Sequence, residues 1–296
     1  MTFLSGLPLV MAVAATLQTP DTVLAVNRGD RVVLEGFSGV IAVSASDRDQ
    51  LELRGARDNT PLVVRRRGAT LQIEADGARR RRSVDAQIRL PAWVDLEIGG
   101  SELEVAVTGL DGAVRIANVS GDVEVRDVGG SVDVRSIRGE VTVVDARGSV
   151  RASSQGDDVT LRRVSGSVEV HSGDGDVLLD ALSSMSVRAE TQDGDIVFSG
   201  SIEEGGEYGF YLHDGDVLLE LPSTVSARVH VSTFDGEFTS DFPVRVESFS
   251  AGRQFDFVLG QGSALIDIEV FDGEIRLARG GAGPGGAGVG SDAQRR

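Results

Sequence analysis

From Gly112 onward, apolar and polar positions alternate in short bursts that restart at a glycine every nine residues. Gly121 is followed by Val123, Val125 and Val128, Gly130 by Val132, Val134 and Ile137, and Gly139 by Val141, Val143 and Ala146. Gly112 leads Val114, Ile116 and Val119 in the same way; Gly166 leads Val168 and Val170, and Gly175 leads Val177, Leu179 and Leu182. Apolar residues two apart form one face of a strand, and the third follows a corner. No single unit can bury its own valines, so the pattern predicts strands stacked at about 4.8 Å around a continuous apolar interior. A sandwich of short antiparallel strands would also alternate, but it needs no constant period.

Two nine-residue units make one coil. From Gly148 the seventh position after each start alternates between polar or glycine and apolar: Gln155, Val164, Gly173, Leu182. Farther on the landmark becomes Asp-Gly-acid, at Asp174-Gly175-Asp176, Asp193-Gly194-Asp195, Asp214-Gly215-Asp216 and Asp235-Gly236-Glu237. Asp272-Gly273-Glu274 then returns after a gap long enough for two coils. The predicted fold is all-β: a single elongated β-solenoid, parallel β-helix-like, with coils of about 18–21 residues and two short strands each.

The chain divides on this reading into four stretches. Residues 1–15 read as a signal peptide, with an apolar run ending in Ala12-Val13-Ala14-Ala15, although no positive charge precedes it. Residues 16–91 hold less regular strands, Val32–Leu34, Val40–Val43, Leu51–Leu53 and Thr70–Ile73, and read as a cap or the first coils. Residues 92–279 are the repeat solenoid. Residues 280–296 form a glycine-rich tail expected to be disordered.

Charge narrows the function classes. The net charge is -17, distributed unevenly: Gln18 to Pro91 holds thirteen Arg against ten acids, and Ala92 to the end sixteen against thirty-six. An acidic repeat argues against nucleic acid as a partner. The basic clusters are Arg65-Arg66-Arg67 and Arg79-Arg80-Arg81-Arg82. Cysteine is absent, which excludes disulfides, thiolate metal sites and a cysteine nucleophile. Past the leader no apolar run is long enough to span a membrane as a helix.

The valine-rich glycine repeat resembles the bacterial putative-adhesin domain family, exported β-solenoids of largely undefined role. The likeness rests on the Gly-Asp-Val and Gly-Ser-Val units from Gly112 to Val217, the entry segment Ala86-Gln87-Ile88-Arg89-Leu90-Pro91, and the closing Phe271-Asp272-Gly273-Glu274-Ile275-Arg276-Leu277. It spans roughly Arg31 to Arg279. Where family members often have Asn before the Gly-Asp pair, this chain has Asp. The resemblance implies an envelope or surface protein and supplies no catalytic residues.

Candidate chemistry concentrates at the acidic corners. In register, Asp176, Asp195, Asp216 and Glu237 would form one carboxylate column, with Asp174, Asp193, Asp214 and Asp235 beside it. Calcium, a hard cation that takes several carboxylate oxygens, is the ion such a column would hold. Against this, Asp-Gly is a good turn dipeptide and exposed acids keep a long stack soluble. The pattern lacks the paired glycines of the calcium-binding toxin repeats and the later ligands of an EF-hand. Paired acids also suit glycoside cleavage, but acids repeated at every coil do not gather at one cleft. His171, His213 and His230 lie near no nucleophile or metal motif. The aromatic residues crowd the C-terminal third and read as a wider core or as an exposed strip for glycan or protein contact. The resulting expectation is an exported, non-enzymatic binding or scaffold protein without a cofactor. Its partner would be an envelope protein or a glycan, with self-association through the solenoid ends also open. A polysaccharide-cleaving enzyme and a calcium-binding solenoid are the alternatives.

Overall fold

The computed structural model describes residues 22–56, 62–75, 84–244, 246–250 and 254–280. The leader, the Arg79–Arg82 run and the tail beyond Gly280 lie outside the described residues. No described helix is long and apolar enough to cross a membrane.

The described residues form 23 strands. At the N-terminal end are β1 (Thr22–Ala25), β2 (Arg31–Ser46), β3 (Gln50–Ala56), β4 (Leu62–Arg67), β5 (Thr70–Ala75), β6 (Val84–Pro91) and β7 (Asp95–Thr108). The central stretch runs β8 (Val114–Ala117), β9 (Val123–Val128), β10 (Val132–Arg135), β11 (Val141–Ala146), β12 (Val150–Ser154) and β13 (Val159–Arg162). It continues through β14 (Val168–Ser172), β15 (Val177–Leu182), β16 (Ser186–Asp193), β17 (Ile196–Gly200), β18 (Glu207–Asp214) and β19 (Val217–Leu221). The C-terminal end holds β20 (Ala227–Ser240), β21 (Val246–Ser250), β22 (Gln254–Leu259) and β23 (Ala264–Arg279).

Every central strand pairs in parallel with the strand one coil away. Val132 faces Val114 and Val150, and Val141 faces Val123 and Val159. The coil therefore has two faces, one of β8, β10, β12, β14, β16 and β18, the other of β9, β11, β13, β15, β17 and β19. Valines two apart from both faces meet inside: Val123 and Val125, Val132 and Val134, Val141 and Val143 are all buried. Parallel strands whose inner face is sealed and outer face wet keep strict alternation, and the burial pattern of β8 and β10 shows it.

The two halves of a coil are not equivalent, which corrects one expectation. After the second face the third apolar residue is core, as at Val128, Ala146, Val164 and Leu182. After the first face the inward position is polar in five successive coils, at Asn118, Ser136, Ser154, Ser172 and Thr191, and apolar at Leu212 and Val270 in the two rungs that follow, while Val119 and Ile137 point outward at 38% and 45% exposure. At Asn118 the side-chain amide donates to the carbonyls of Leu103, Ser120 and Gly121 around the bend.

At both ends single long strands replace the strand pairs. β2 and β7 pair along almost their whole length, as do β20 and β23. Counting β5 with β6 as one rung, the described residues build eleven parallel rungs, in the order β5/β6, β2, β7, the six central coils, β23, β20. At about 4.8 Å per step this is a stack of about 48 Å. Antiparallel strands close it: β4 on β5, β3 on β6 and β1 on β3 at one end, β22 on β20 and β21 on β22 at the other.

The order at the C-terminal end departs from the sequence order. After β19 the chain skips one rung to lay down β20, runs out through β21 and β22, and returns as β23 into the gap. The last strand is thus an interior strand.

Candidate functional site

Each acidic corner is built on a glycine that the stack requires. At Gly139 φ is +134°, and a Cβ there would lie 2.3 Å from the Gly121 carbonyl oxygen. Gly194, Gly215 and Gly273 continue the column with positive φ and equally close carbonyls from the rung before. The chain can pass this corner at the rung spacing only without a side chain.

The acid after the glycine has a structural task. The backbone N–H of Asp176 donates to Asp158 Oδ1 at 2.9 Å, that of Asp195 to Asp176 Oδ1 at 2.9 Å, and that of Asp216 to Asp195 Oδ1 at 2.8 Å. Glu274 N–H donates to Asp216 Oδ1 at 2.7 Å, and Glu140 N–H to Asp122 Oδ1 at 3.0 Å. Each carboxylate therefore caps an amide of the following rung that the corner turns away from the strand ladder, as a helix-capping aspartate does.

The predicted column is real but differently ordered. Asp176, Asp195 and Asp216 stack as expected, and Asp193 faces Asp214. Glu237 and Asp235 do not follow them directly. Asp214 faces Asp272, and only then does Asp272 face Asp235 and Glu274 face Glu237. Asp174 lies on the same ridge, one rung before Asp193. Among the described residues no three His, Asp or Glu side chains converge closely enough to hold a metal ion.

The opposite corner carries a second column with backbone strain. Asp127, Asp145, Arg163 and Ala181, eighteen residues apart, adopt φ of 50°, 58°, 52° and 54°. Arg163 donates to both oxygens of Asp145, at 2.6 and 3.0 Å. This hydrogen bond, ahead of the burial that opposes it, holds the Asp145 carboxyl below the usual carboxylate range. Arg147 bridges Asp127 and Asp111 at 3.1 and 3.2 Å.

The outer side of the first face is a charge-alternating row: Glu97, Arg115, Asp133, Arg151, Glu169 and Arg188 stand opposite one another in successive rungs. Arg151 and Glu169 pair at 2.8 Å beside a shallow depression that His171 also lines. His171 lies 3.5 Å from Glu190, and His230 Nδ1 lies 2.6 Å from Asp256. His213 leaves that company: its ring packs on Phe271 at 4.7 Å, and Phe271 stacks on Phe234 at 4.8 Å with the planes 3° apart. Of the remaining aromatics, Phe198, Tyr208, Phe210 and Phe257 are core. The exposed aromatic strip was visible in the sequence only as crowding, because nothing local marks Phe234 and Phe271 as outward.

Of the basic clusters, Arg65 pairs with Glu74 at 3.3 Å, and Arg66 with Asp30 at 2.7 Å and with the Ala25 carbonyl.

The Toastrack DUF4097 family model matches residues 33–278. Among solved structures the chain is similar to one described as a putative cell adhesion protein from Clostridium sporogenes ATCC 15579. The two are 10% identical with a TM-score of 0.23, over 88% of this chain and 100% of that one. No curated protein matches.

Proposed function

This chain belongs to the Toastrack DUF4097 family, and from that premise we propose that it is an exported, non-enzymatic binding or scaffold element of the cell envelope, with residues 1–15 as its leader. The observation that carries this reading is the aspartate ladder. At the corners Asp158, Asp176, Asp195 and Asp216 each accept the amide of the next rung, so these carboxylates serve the stack itself. The surface that remains is long and regular, and regular rows suit docking along a length better than bond cleavage at a point.

Expression of the full chain with its own leader, followed by cell fractionation and incubation of the purified protein with envelope polysaccharide, tests the proposal. The expected result is recovery in the envelope or medium and no new reducing ends. Retention in the cytosol would overturn the export, and glycan cleavage would favour the carbohydrate-active alternative.

A further inference from the structure

On the outer side of the first face, Ser153 stands between Arg135 of the rung before and His171 of the rung after. Both long neighbours are drawn away from it. The Arg135 guanidinium turns along its own strand to Asp133 at 3.4 Å, and His171 Nδ1 lies 3.5 Å from Glu190, one rung farther on. The short side chain between them leaves a depression of about 160 Å³, walled by Asp133, Arg135, Arg151, Glu169 and His171 around Ser153. All six residues belong to β10, β12 and β14, in the regular middle of the stack. The volume is below the roughly 300 Å³ at which sites for drug-sized ligands begin, so it suits one small ring.

The walls hold donors and acceptors that the fold does not use up. Arg151 reaches Glu169 through Nε at 2.8 Å, and neither of its Nη groups has a partner among the described residues. The Ser153 hydroxyl has none there either. A pair of guanidinium N–H groups matches a carboxylate, which it holds by two parallel hydrogen bonds. Asp133 meets Arg135 and Glu169 meets Arg151, and each carboxylate keeps lone pairs for further donors.

This mixture sorts ligands by chemistry. A bare anion, or the carboxylate of an acidic peptide, satisfies Arg151 but brings negative charge beside Asp133 and Glu169 with no hydroxyl to donate to them. A neutral sugar supplies hydroxyls for the acids but offers the guanidinium only neutral acceptors, whose bonds are about half as strong. A ring bearing one carboxylate and several hydroxyls meets both demands at once.

We propose that the depression at Ser153 binds one uronic acid unit of an acidic polysaccharide. The carboxylate sits on the Nη groups of Arg151, and the ring hydroxyls donate to Glu169 and Asp133 and pair with the Ser153 hydroxyl. This rests on the binding reading above and names the ligand class within it.

Ligand-observed NMR titration of the full chain with trigalacturonate supplies the test, at about 0.15 M salt, where the acidic surface is screened beyond about 8 Å. Wild type should bind with a dissociation constant of about 1 mM, and maltotriose and triglutamate at least about tenfold more weakly. Arg151→Gln, which removes the carboxylate partner, and Ser153→Phe, which fills the depression, should each weaken trigalacturonate binding at least about tenfold. Both side chains point outward, so thermal melts of the two variants should stay close to wild type. Arg163→Gln removes the same charge at another corner of the coil and should leave the affinity unchanged. Absence of binding up to about 20 mM trigalacturonate, or equal affinity in wild type and both depression variants, would overturn the proposal. Triglutamate bound as tightly would overturn it in favour of a general anion site, and maltotriose bound as tightly in favour of a neutral glycan. A failed titration leaves recovery in the envelope as it stands, and a cytosolic protein leaves the titration as it stands.

Discussion

Gly139 and Ala181 stand at opposite corners of the coil and carry opposite mismatches between residue and backbone. Gly139 needs positive φ and has a carbonyl 2.3 Å from where a Cβ would sit. Gly139→Ala should therefore cost about 2–4 kcal/mol, read as a lower midpoint in chemical denaturation. Ala181 holds φ of 54° on an exposed position. A left-handed alanine costs about 1–2 kcal/mol, and glycine gives back part of that in chain entropy, so Ala181→Gly should stabilise by about 0.5–1 kcal/mol in the same assay. A third residue sets a pH dependence. Burial pushes the Asp30 carboxyl up, but the Asn27 N–H and the Arg66 guanidinium together hold it below its ordinary value. A lowered carboxylate contributes stability above its unfolded value of about 4 and loses it as pH falls through the lower folded value. Thermal melts should show wild type above Arg66→Ala at neutral pH, with the gap narrowing below about pH 4.

Among the elements, the central rungs were legible and the closing rung was not. Val123, Val125 and Val128 read as core from spacing alone because one nine-residue step equals one strand and one corner, and all three are buried. Val119 and Ile137 fit the same spacing but face outward, because the position before each of them, Asn118 and Ser136, is the one that turns inward at the first-face bend. The acids of the corner were found as a column from sequence. Their task was not, because a carboxylate accepting an amide and one awaiting a cation have the same spacing. The position of β23 was hidden for a sharper reason. Phe234-Asp235-Gly236-Glu237 and Phe271-Asp272-Gly273-Glu274 are the same four residues, so local pattern cannot say which of them abuts Asp214. A chain with no cysteine of its own allows a direct check. Asp214→Cys with Asp272→Cys should oxidise to a disulfide, since neighbouring strands lie within bonding reach. Asp214→Cys with Asp235→Cys should not, being two rungs or about 10 Å apart. Non-reducing electrophoresis separates the two.

At the scale of the whole molecule, the stack is one continuous sheet closed by antiparallel strands at both ends, and its stability is shared between neighbouring rungs. Because β23 sits between β19 and β20, removing it does not merely shorten the stack. A chain ended at Ser263 loses the partner of both β19 and β20 and exposes two parallel edges. It should aggregate on size exclusion, whereas a chain ended at Gly280 should elute like the full protein.

The aspartate ladder is what separates a stack built of acids from a site made of them. The most direct test compares Asp176, Asp195 and Asp216 changed together to Asn with the same three changed to Ala, followed by thermal unfolding with and without millimolar calcium. Asn keeps the Oδ1 acceptor, and Ala removes it. If the carboxylates are rungs, the Asn protein melts close to wild type, the Ala protein loses about 1 kcal/mol per site, and calcium shifts none of the three. An Asn protein as destabilised as the Ala protein, or a calcium-dependent rise in Tm seen only in wild type, would contradict the ladder and return the acids to a cation.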